Sequence, residues 1–455
     1  MDTKEPSLEM SRATINGDAH GHPLEAPTYR KVFWRLIPIF FACYIVSYLD
    51  RVNIGFAKLQ MLSSLNLDDD VYALGASVLF WGYVLFEIPS GVVLHRVGAR
   101  KWIARIMITW GLVSASLMYV QPLAGFFHTR VSTMFYILRF LLGVCEAGFG
   151  PGVFYLLNNW FPAKRQSRVF AAFMLALPIS LCIGNPLSGW ILQNMHDALG
   201  YQGWQWLLLL EAVPSVILGL VVFFSIPESI EKAKWLREEE RHFWQSALQR
   251  EHSKKIHDFG AALRSRGVWT LALVSLTMLT GFYGLSFWLP TIIQASGLKD
   301  AFHVGLLAAI PYAVSGVAMI ANAIHSHKTQ ERRIHAAVPA LVAGIALILS
   351  ARFAGNLPLS MMLITVAAAG IMAIIPLFWS FAGQLLSGIA AAAGLALINS
   401  IGSLSGIAGA MITNVVKNMT GSVTDGTYVL GASLLACCIL ILTLPRELVS
   451  PVSDS

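Results

Sequence analysis

The chain has 455 residues, of which 56% are hydrophobic and only 13% are charged. A soluble domain has about 25% charged residues, so this composition excludes a water-soluble globular protein. The formal net charge of +7 does not indicate nucleic-acid binding, because the basic residues lie in short segments between apolar runs and lack interleaved aromatic residues.

The N-terminal segment differs from the rest of the chain. Residues 1–28 are polar, contain Pro, Gly and His, and lack the apolar stretch of a signal peptide. We predict that they form a disordered cytoplasmic tail.

Twelve apolar segments follow, each long enough to cross a bilayer as a helix of about 20 residues. In the first half we predict spans at 33–57, 71–94, 102–121, 131–158, 168–193 and 204–226. In the second half we predict them at 267–293, 302–325, 335–353, 357–381, 383–416 and 426–445, with an uncharged connection at Phe381–Gln384. The predicted fold is an all-α polytopic membrane protein with twelve transmembrane helices.

One long polar interruption divides these spans. Residues 227–266 are dense in charge and include the run Arg237-Glu238-Glu239-Glu240-Arg241. We predict a six-helix bundle at 29–226, a cytoplasmic central loop at 227–266, a second six-helix bundle at 267–446 and a cytoplasmic tail at 447–455. Two parallel six-helix repeats are the layout of a large class of transporters.

Lysine and arginine are concentrated in alternate connections. They cluster in the N-terminal flank, in 96–105, 164–168 and 328–333, and in the central segment. The opposite connections carry Asp68-Asp69-Asp70 and scattered charges such as Lys58 and Lys417. The positive-inside rule therefore predicts that both termini are cytoplasmic, in a cell (inner) membrane.

The cysteines give no sign of a disulfide framework or a metal site. All five lie within apolar segments and none has CxxC spacing, so they read as small core residues. We predict no metal and no cofactor. The five are Cys43, Cys145, Cys182, Cys437 and Cys438.

Four charged residues stand out within the predicted spans, namely Asp50 and Arg51 in span one and Arg139 and Glu146 in span four. A charge at mid-bilayer costs about 2.5–3.5 kcal/mol on insertion scales, so each needs a partner or a function. Arg139 and Glu146 are nearly two helical turns apart, about 10 Å along the axis, which is too far for direct pairing. The simplest arrangement faces the two helices across a cavity, with carboxylates and guanidiniums cross-paired.

These four side chains are suited to the proton-coupled transport of an anion. A guanidinium is a planar fork that matches a carboxylate and keeps its proton, while a carboxyl group in a low-dielectric cavity can exchange protons near neutral pH. The alternative is a static ion-pair network that orders the bundle. Two further intramembrane acids, Glu87 and Glu211, are better explained by a helix-end contact or a gate hydrogen bond.

The turn after span two, Gly91-Val-Val-Leu-His95-Arg-Val-Gly98-Ala-Arg100-Lys101, resembles the signature Gly-x-x-x-Asp-x-x-Gly-x-Arg-Lys of the major facilitator superfamily. A related basic turn, Asn322 to Arg333, follows span eight. The signature's Asp is His95 here, and the corresponding acidic position of the second turn is His327. The resemblance implies a gate built on His95, Arg100 and His327, with a weaker or pH-dependent brace.

Further motifs together resemble the anion:cation symporter family. The resemblance implies a transporter that imports a small organic anion, mostly a carboxylate, by proton symport and alternating access. It also implies proton coupling by Asp50 and Glu146. The motifs are Tyr48-Leu-Asp50-Arg51-Val-Asn53, Gly82-Tyr83-Val-Leu-Phe-Glu87-Ile-Pro89, Arg139-Phe-Leu-Leu-Gly-Val-Cys-Glu146, Asn159-Trp160-Phe161-Pro162 and Gly203-Trp-Gln-Trp-Leu-Leu-Leu-Leu-Glu211.

The same resemblance implies a substrate pocket. It would be formed by Arg51, Arg139, Tyr48, Tyr83, Trp379 and Asn399. Some family members carry a Gln near Leu177, and its loss favours a less polar pocket and an aromatic or otherwise partly apolar acid. The expected substrate is an aromatic or dicarboxylic acid. The implied partners are the small organic anion, the proton and the lipid bilayer, with no nucleic acid, and the functional unit is expected to be a monomer.

Other functions remain open. A nutrient sensor on a transporter scaffold would usually carry an extra signalling tail. A uniporter is possible, and drug/proton antiport fits less well because two intramembrane arginines suit anionic cargo. The chain has no P-loop, HExxH or GxSxG motif, so we predict that it is not an enzyme.

Overall fold

The computed structural model describes residues 23–252, 265–385 and 389–444, and these are almost entirely helical. Within them the only bridge between extended residues joins Ala198 and Tyr201. The helices are α1 Glu25–Leu65, α2 Asp69–Val97, α3 Ala99–Ser116, α4 Val120–Phe126, α5 Val131–Glu146, α6 Phe149–Trp160, α7 Ala163–Met174, α8 Ala176–Asn194, α9 Gly203–Ser225, α10 Glu238–His252, α11 Arg266–Ala295, α12 Ala301–Thr329, α13 Arg333–Arg352, α14 Leu357–Leu385, α15 Ile389–Thr420 and α16 Gly426–Thr443.

The predicted all-α polytopic membrane fold is confirmed. In the described part of the chain, eleven helical segments are long and apolar enough to cross a membrane. Four of them combine neighbouring elements: Ala99–Phe126, Val131–Trp160, Ala172–Asn194 and Val423–Thr443. α15 is not among the eleven, but its 32 residues occupy the place of the predicted eleventh span and are more than long enough to cross a bilayer.

Local sequence explains where several helices begin and end. The Asp68 carboxylate accepts a hydrogen bond from Val71 N at 2.8 Å and caps α2. Asp300 caps α12 in the same way, with His303 N as the donor. Gly98 separates α2 from α3 at φ +92°, a conformation that a residue without Cβ adopts at little cost.

Three predicted boundaries were wrong. α1 begins at Glu25 and ends at Leu65. It therefore includes the last residues of the predicted tail, and it also includes Lys58, which is predicted to lie in a connection. The helix can extend past the apolar stretch because Lys58 is buried against aromatic rings. The expected turn at Phe381–Gln384 is helical, since α14 continues to Leu385.

Span four is interrupted in the middle, at the glycine cluster of the sequence. α5 ends at Glu146 and α6 begins at Phe149, with Gly148 between them at φ +84°. Gly143 packs so closely on α2 that a Cβ there would lie 1.9 Å from the Leu79 carbonyl oxygen. The break leaves Glu146 at a helix end, where its carboxylate can face α1.

The two halves of the chain meet along four helix pairs. Asn185 of α8 donates a 3.0 Å hydrogen bond to the Ala308 carbonyl of α12. Tyr72 of α2 donates one of 2.9 Å to the Phe287 carbonyl of α11. α1 also packs on α11, and α2 packs on α15.

A charged cluster ties the halves together at one end of the bundle, which we call the Asp69 end. Lys58 Nζ lies 2.9 Å from Asp69 Oδ1, 3.3 Å from Thr291 Oγ1 and 3.8 Å from the centre of the Trp288 ring. Lys417 of α15 pairs with the other oxygen of Asp69. Among the described residues, Asp69–Lys417 is the ion pair that joins the first six spans to the last six.

The opposite end, which we call the Arg100 end, carries the central segment. That segment is more ordered than a simple loop, because it contains α10, whose Trp244 is fully buried and donates a 2.8 Å hydrogen bond to the Trp160 carbonyl. Lys31 Nζ lies 2.6 Å from Glu240 Oε1. Residues 253–264 and the predicted tail at 447–455 lie outside the described part of the chain, and the cytoplasmic location of these segments stays a prediction.

Candidate functional site

The Arg51 side chain lies where α1 meets helices of both halves. Its Nη2 pairs with Glu146 of α5, and its Nη1 donates a 3.0 Å hydrogen bond to the Tyr283 hydroxyl of α11. Its guanidinium carbon lies 5.4 Å from the centre of the Tyr48 ring and 5.3 Å from that of Tyr83. Cation–π contacts of this kind favour a desolvated guanidinium, so Arg51 stays charged inside the apolar bundle.

Glu146 is held from two sides. Besides Arg51, it accepts a 3.2 Å hydrogen bond from Ser47 Oγ, and both partners belong to α1. The Arg51 side chain is 11% exposed and that of Glu146 is 5% exposed. An ion pair with so little contact with water is sensitive to the loss of either charge, because the remaining partner would be buried alone.

Asp50 takes a different direction from its neighbour Arg51. It is buried and accepts a hydrogen bond from Ser114 of α3. It therefore lies inside the first half, away from the aromatic rings around Arg51. The sequence correctly predicts that adjacent residues on a helix point about 100° apart and cannot share one partner.

The expected cross-pairing is half confirmed. Arg51 and Glu146 pair, but no ion pair joins Arg139 to Asp50. Arg139 is fully buried, and its Nε donates a 3.2 Å hydrogen bond to the Gly75 carbonyl of α2, while its Nη2 has no hydrogen-bond partner. The close approach of α5 to α2 explains why Arg139 does not pair with Asp50, because it places the Gly75 carbonyl oxygen within hydrogen-bonding distance of the Arg139 guanidinium.

Asn399, predicted in the pocket, contacts an acid from the other half. Its amide donates to Glu87 of α2, and Ser400 Oγ donates a 3.0 Å hydrogen bond to the second Glu87 oxygen. Glu87 is buried. From the sequence, Glu87 is interpreted as a helix-end contact or a gate hydrogen bond, and in the structure its hydrogen bonds link α2 to α15.

Trp379 lies apart from Arg51. Its ring centre is 6.0 Å from that of Phe154 in α6 and 5.4 Å from that of Phe378. It therefore brings α14 of the second half against the segment that follows the span-four break. The structure thus brings Tyr48, Tyr83, Arg51 and Glu146 together and places Trp379 in a neighbouring aromatic contact.

The predicted gate residues lie at the Arg100 end. The exposed His95 ring packs edge-on against Tyr155, with 4.6 Å between ring centres. Arg100 Nη2 lies 2.7 Å from Glu228 Oε1. His327 is exposed, and its carbonyl accepts a hydrogen bond from the Gln330 side chain. Where the signature's Asp would pair with a charge, His95 therefore makes an aromatic contact.

Glu228 forms the charged centre of this end. Hydrogen bonds from Lys232, at 2.5 Å, and from Lys101 lower the pKa of Glu228 from 4.5 to about 2. This carboxylate is therefore ionised throughout the neutral range and does not act as a proton carrier there.

Sequence reasoning missed several residues of the site. Tyr283 and Phe80, whose ring centre lies 6.0 Å from the Arg51 guanidinium, are not distinguishable from other aromatic residues in apolar spans. The signal that could have pointed to Tyr283 is its position between Gly281 and Gly284. A group of three or more His, Cys, Asp and Glu side chains able to hold a metal does not occur among the described residues.

Comparison with protein families matches residues 40–410 to the Major Facilitator Superfamily. A "Putative metabolite transport protein NicT" of Pseudomonas putida is 42% identical over 425 residues, which cover 93% of this chain and 95% of that protein. A "Putative tartrate transporter" of Agrobacterium vitis is 43% identical, covering 93% and 92%. A "Quinolone resistance transporter" of Acinetobacter baumannii is 35% identical, covering 91% and 94%.

Solved structures share the fold at low sequence identity. A D-xylose-proton symporter superposes with a TM-score of 0.71 at 14% identity, covering 91% of this chain and 98% of that one. The xylose transporter XylE from E. coli in an inward open conformation gives 0.70 at 16% identity, covering 93% and 98%. At this level of identity the likeness concerns the fold alone.

Proposed function

The chain belongs to the Major Facilitator Superfamily and is a multi-pass membrane transport protein, not an enzyme, and from this premise we propose that it imports a small organic anion by proton symport. The anion is a carboxylate, and the carrier works by alternating access between the two halves. The single observation that carries the proposal is the pairing of Arg51 with Glu146 inside a ring of aromatic side chains.

Arg51 is suited to bind the substrate carboxylate. It lies at the interface of the halves, and the Glu146 carboxylate pairs with its guanidinium as the carboxylate of a substrate would. Glu146 and the anion therefore compete for the same fork of N–H donors. A relative named as a tartrate transporter supports an anionic cargo.

Competition for Arg51 supplies the coupling. When Glu146 takes up a proton it loses its charge, and Arg51 becomes free to pair with the incoming carboxylate. When the proton leaves, the Glu146 carboxylate pairs with Arg51 again and displaces the anion. An anion and a proton thus bind together and leave together, which is the requirement for symport.

Hydrogen bonds between the halves transmit the change. Arg51 donates to Tyr283, and Glu87 accepts from Asn399 and Ser400, so two buried charged groups of the first half each contact the second half. Loss of either contact removes a link between the moving parts. The Asp69 end is closed by its own ion pairs, so exchange with water in this conformation would take place from the Arg100 end.

The surroundings of Arg51 favour an aromatic acid over a dicarboxylic acid. Rings of Tyr48, Phe80 and Tyr83 lie within 6.0 Å of its guanidinium carbon. A second carboxylate would need a second cation, and Arg139 is fully buried behind Gly75. We propose that Arg139 serves the coupling network in this conformation and reaches a substrate only after rearrangement.

We place the carrier in the inner membrane of a bacterial cell as a functional monomer, with the Arg100 end and both termini in the cytoplasm. The support is the concentration of basic residues at that end. Efflux is the second candidate, because one relative is named as a quinolone resistance transporter. The direction of net transport under an imposed gradient distinguishes the two.

The test is uptake by the purified protein in liposomes with an imposed pH gradient. The panel comprises 4-hydroxyphenylacetate, phthalate, tartrate and a sugar acid. We expect one of these anions to accumulate when the outside is acidic, and to accumulate less when a protonophore collapses the gradient. Accumulation that ignores the gradient would contradict symport, and export of the anion on acidification of the outside would favour antiport.

A further inference from the structure

We infer that Glu211 is a further proton-carrying acid of the carrier, and that it shares a proton with Asp50 across the side chain of Asn53. The inference rests on the proposed proton coupling and adds a site to it. Glu211 lies in α9, which packs on α1. It provides Asp50 with a second acid with which to share a proton. The competition between Glu146 and the anion for Arg51 does not involve Asp50.

Glu211 is buried in the first half with half of its carboxyl group unsatisfied. Its Oε1 accepts a 2.6 Å hydrogen bond from Ser188 Oγ of α8, and its Oε2 has no hydrogen-bond partner. The residue is 3% exposed. A carboxylate buried without a counter-ion is costly, whereas a carboxylic acid supplies a donor and needs none.

Asn53 occupies the space between the two acids. It is one helical turn beyond Asp50 on α1 and is 1% exposed, and neither its Oδ1 nor its Nδ2 forms a hydrogen bond of regular geometry. Its side chain is nevertheless close enough to interact with both Asp50 and Glu211. A buried amide with both ends unsatisfied, placed between two acids, is an arrangement that one proton would complete.

The amide can serve either protonation state. With the proton on Glu211, the acid donates to Asn53 Oδ1, and Nδ2 donates to the Asp50 carboxylate. With the proton on Asp50, the amide turns over, so that Oδ1 accepts from Asp50 and Nδ2 donates to Glu211. Each state holds one proton, which the pair takes up from water on one side of the membrane and releases to water on the other side when the cavity opens there, and the amide itself is never ionised.

The neighbouring charges can favour one state over the other. Asp50 interacts with the Arg139 cation and with Glu146 of α5, while Glu211 interacts with the charge of Asp50. Release of Glu146 from Arg51, or a shift of α5, changes the field at Asp50 and leaves Glu211 largely unaffected. The Asp50–Glu211 pair would therefore move its proton in step with the state of the substrate site.

A purely structural role makes a different prediction. If Glu211 only fills space and accepts from Ser188, then Glu211→Gln preserves size, burial and the acceptor. If it carries a proton, the same substitution fixes the neutral form and removes one exchangeable site. Asn53→Leu would disconnect the two acids while leaving both in place.

The test measures the number of protons taken up per anion and the pH profile of uptake in liposomes, for wild type, Glu211→Gln and Asn53→Leu. Glu239→Gln, on the exposed face of α10, is the matched control. We expect Glu211→Gln to lower the proton-to-anion ratio by about one while anion exchange at equal pH keeps its half-saturation concentration. We expect Asn53→Leu to shift the pH profile in the absence of any change in that concentration.

The outcomes separate this inference from the proposed function. If wild type takes up no protons with the anion, both fail. If wild type is coupled but Glu211→Gln retains its proton-to-anion ratio and pH profile, Glu211 carries no proton and only the inference fails. Should Glu211→Gln not fold, a wild-type pH profile in Asn53→Leu would overturn the inference by itself.

Discussion

Arg51 and Tyr283, which lie 232 residues apart in the sequence, are joined by a 3.0 Å hydrogen bond from the guanidinium Nη1 to the phenol oxygen. Tyr283 belongs to the first helix of the second half, and Arg51 also pairs with Glu146 of its own half. One guanidinium therefore contacts both halves of the carrier. In the proposed function, an anion that displaces Glu146 from Arg51 would bind directly beside the interface between the two halves.

Removing only the Tyr283 hydroxyl should weaken anion binding. Tyr283→Phe keeps the ring and removes one hydrogen bond to a charged group, which is worth about 1.5–3 kcal/mol, or about 10–100-fold in affinity. We expect the half-saturation concentration for anion exchange to rise within that range. Tyr428→Phe, at an exposed position of α16, is the control. An unchanged value for Tyr283→Phe would remove Tyr283 from the site.

The two intramembrane arginines should not be equivalent. Arg51→Lys loses the planar fork at the place where we put the anion, so we expect the half-saturation concentration to rise by about tenfold or more. Arg139 contacts the Gly75 carbonyl and is fully buried, so Arg139→Lys should act mainly on proton coupling and thermal stability. Arg352→Lys, exposed at the end of α13, is the control. A larger loss of affinity in Arg139→Lys than in Arg51→Lys would reverse these roles.

The cluster at the Asp69 end should hold that end closed. Asp69→Asn removes the counter-charge of both Lys58 and Lys417, and it leaves the Lys58 ammonium group, whose side chain is only 4% exposed, without an anionic partner. We expect conformations open at this end to become more populated. The measurement is the distance between spin labels at the exposed positions Leu199 and Met419, which should lengthen.

Asp68→Asn is the control for that experiment, because Asn also caps a helix and Asp68 forms none of the ion pairs. A label distance that stays the same in Asp69→Asn and in Asp68→Asn would mean that the Lys58–Asp69–Lys417 cluster does not hold the halves together.

The ion pairs at the Arg100 end should not depend on pH in the neutral range. The Lys232 and Lys101 ammonium groups lower the pKa of Glu228 from 4.5 to about 2. Because the folded protein favours the ionised form, the stabilisation is complete above pH 4.5 and is lost as the pH falls through about 2. Glu228→Gln should therefore lower the thermal unfolding temperature slightly, and by the same amount at pH values near 5.5 and 7.5. A loss confined to the higher pH would contradict this assignment.

Sequence predicted the fold because its signals are strong and local. Apolar runs of bilayer length and alternating basic connections are enough for an all-helical membrane protein, and the cost of a buried charge predicted that Arg51 and Glu146 each need a partner, which each finds in the other. The pairing of Arg139 could not be predicted in the same way. It depends on the distance between α2 and α5, which the small residues Gly75 and Gly143 set only once the helices have packed.

Lys58 shows a second limit of sequence reasoning. A lysine at the end of an apolar run reads as the start of a connection, yet here it lies inside α1 against the Trp288 ring of the other half. The partner that makes burial acceptable is 230 residues away, and nothing near Lys58 in the sequence indicates it. Tyr283 was missed for the same reason, because its partner Arg51 is equally distant.

The most direct test of the account compares two kinds of transport by Glu146→Gln in liposomes. One is exchange of labelled for unlabelled anion at equal pH, and the other is accumulation driven by an imposed pH gradient, with Glu239→Gln as the control. The account predicts that Glu146→Gln, which leaves Arg51 permanently available, retains exchange and loses gradient-driven accumulation. Accumulation at the wild-type level in Glu146→Gln would contradict the proposal that this carboxyl group couples the proton to the anion.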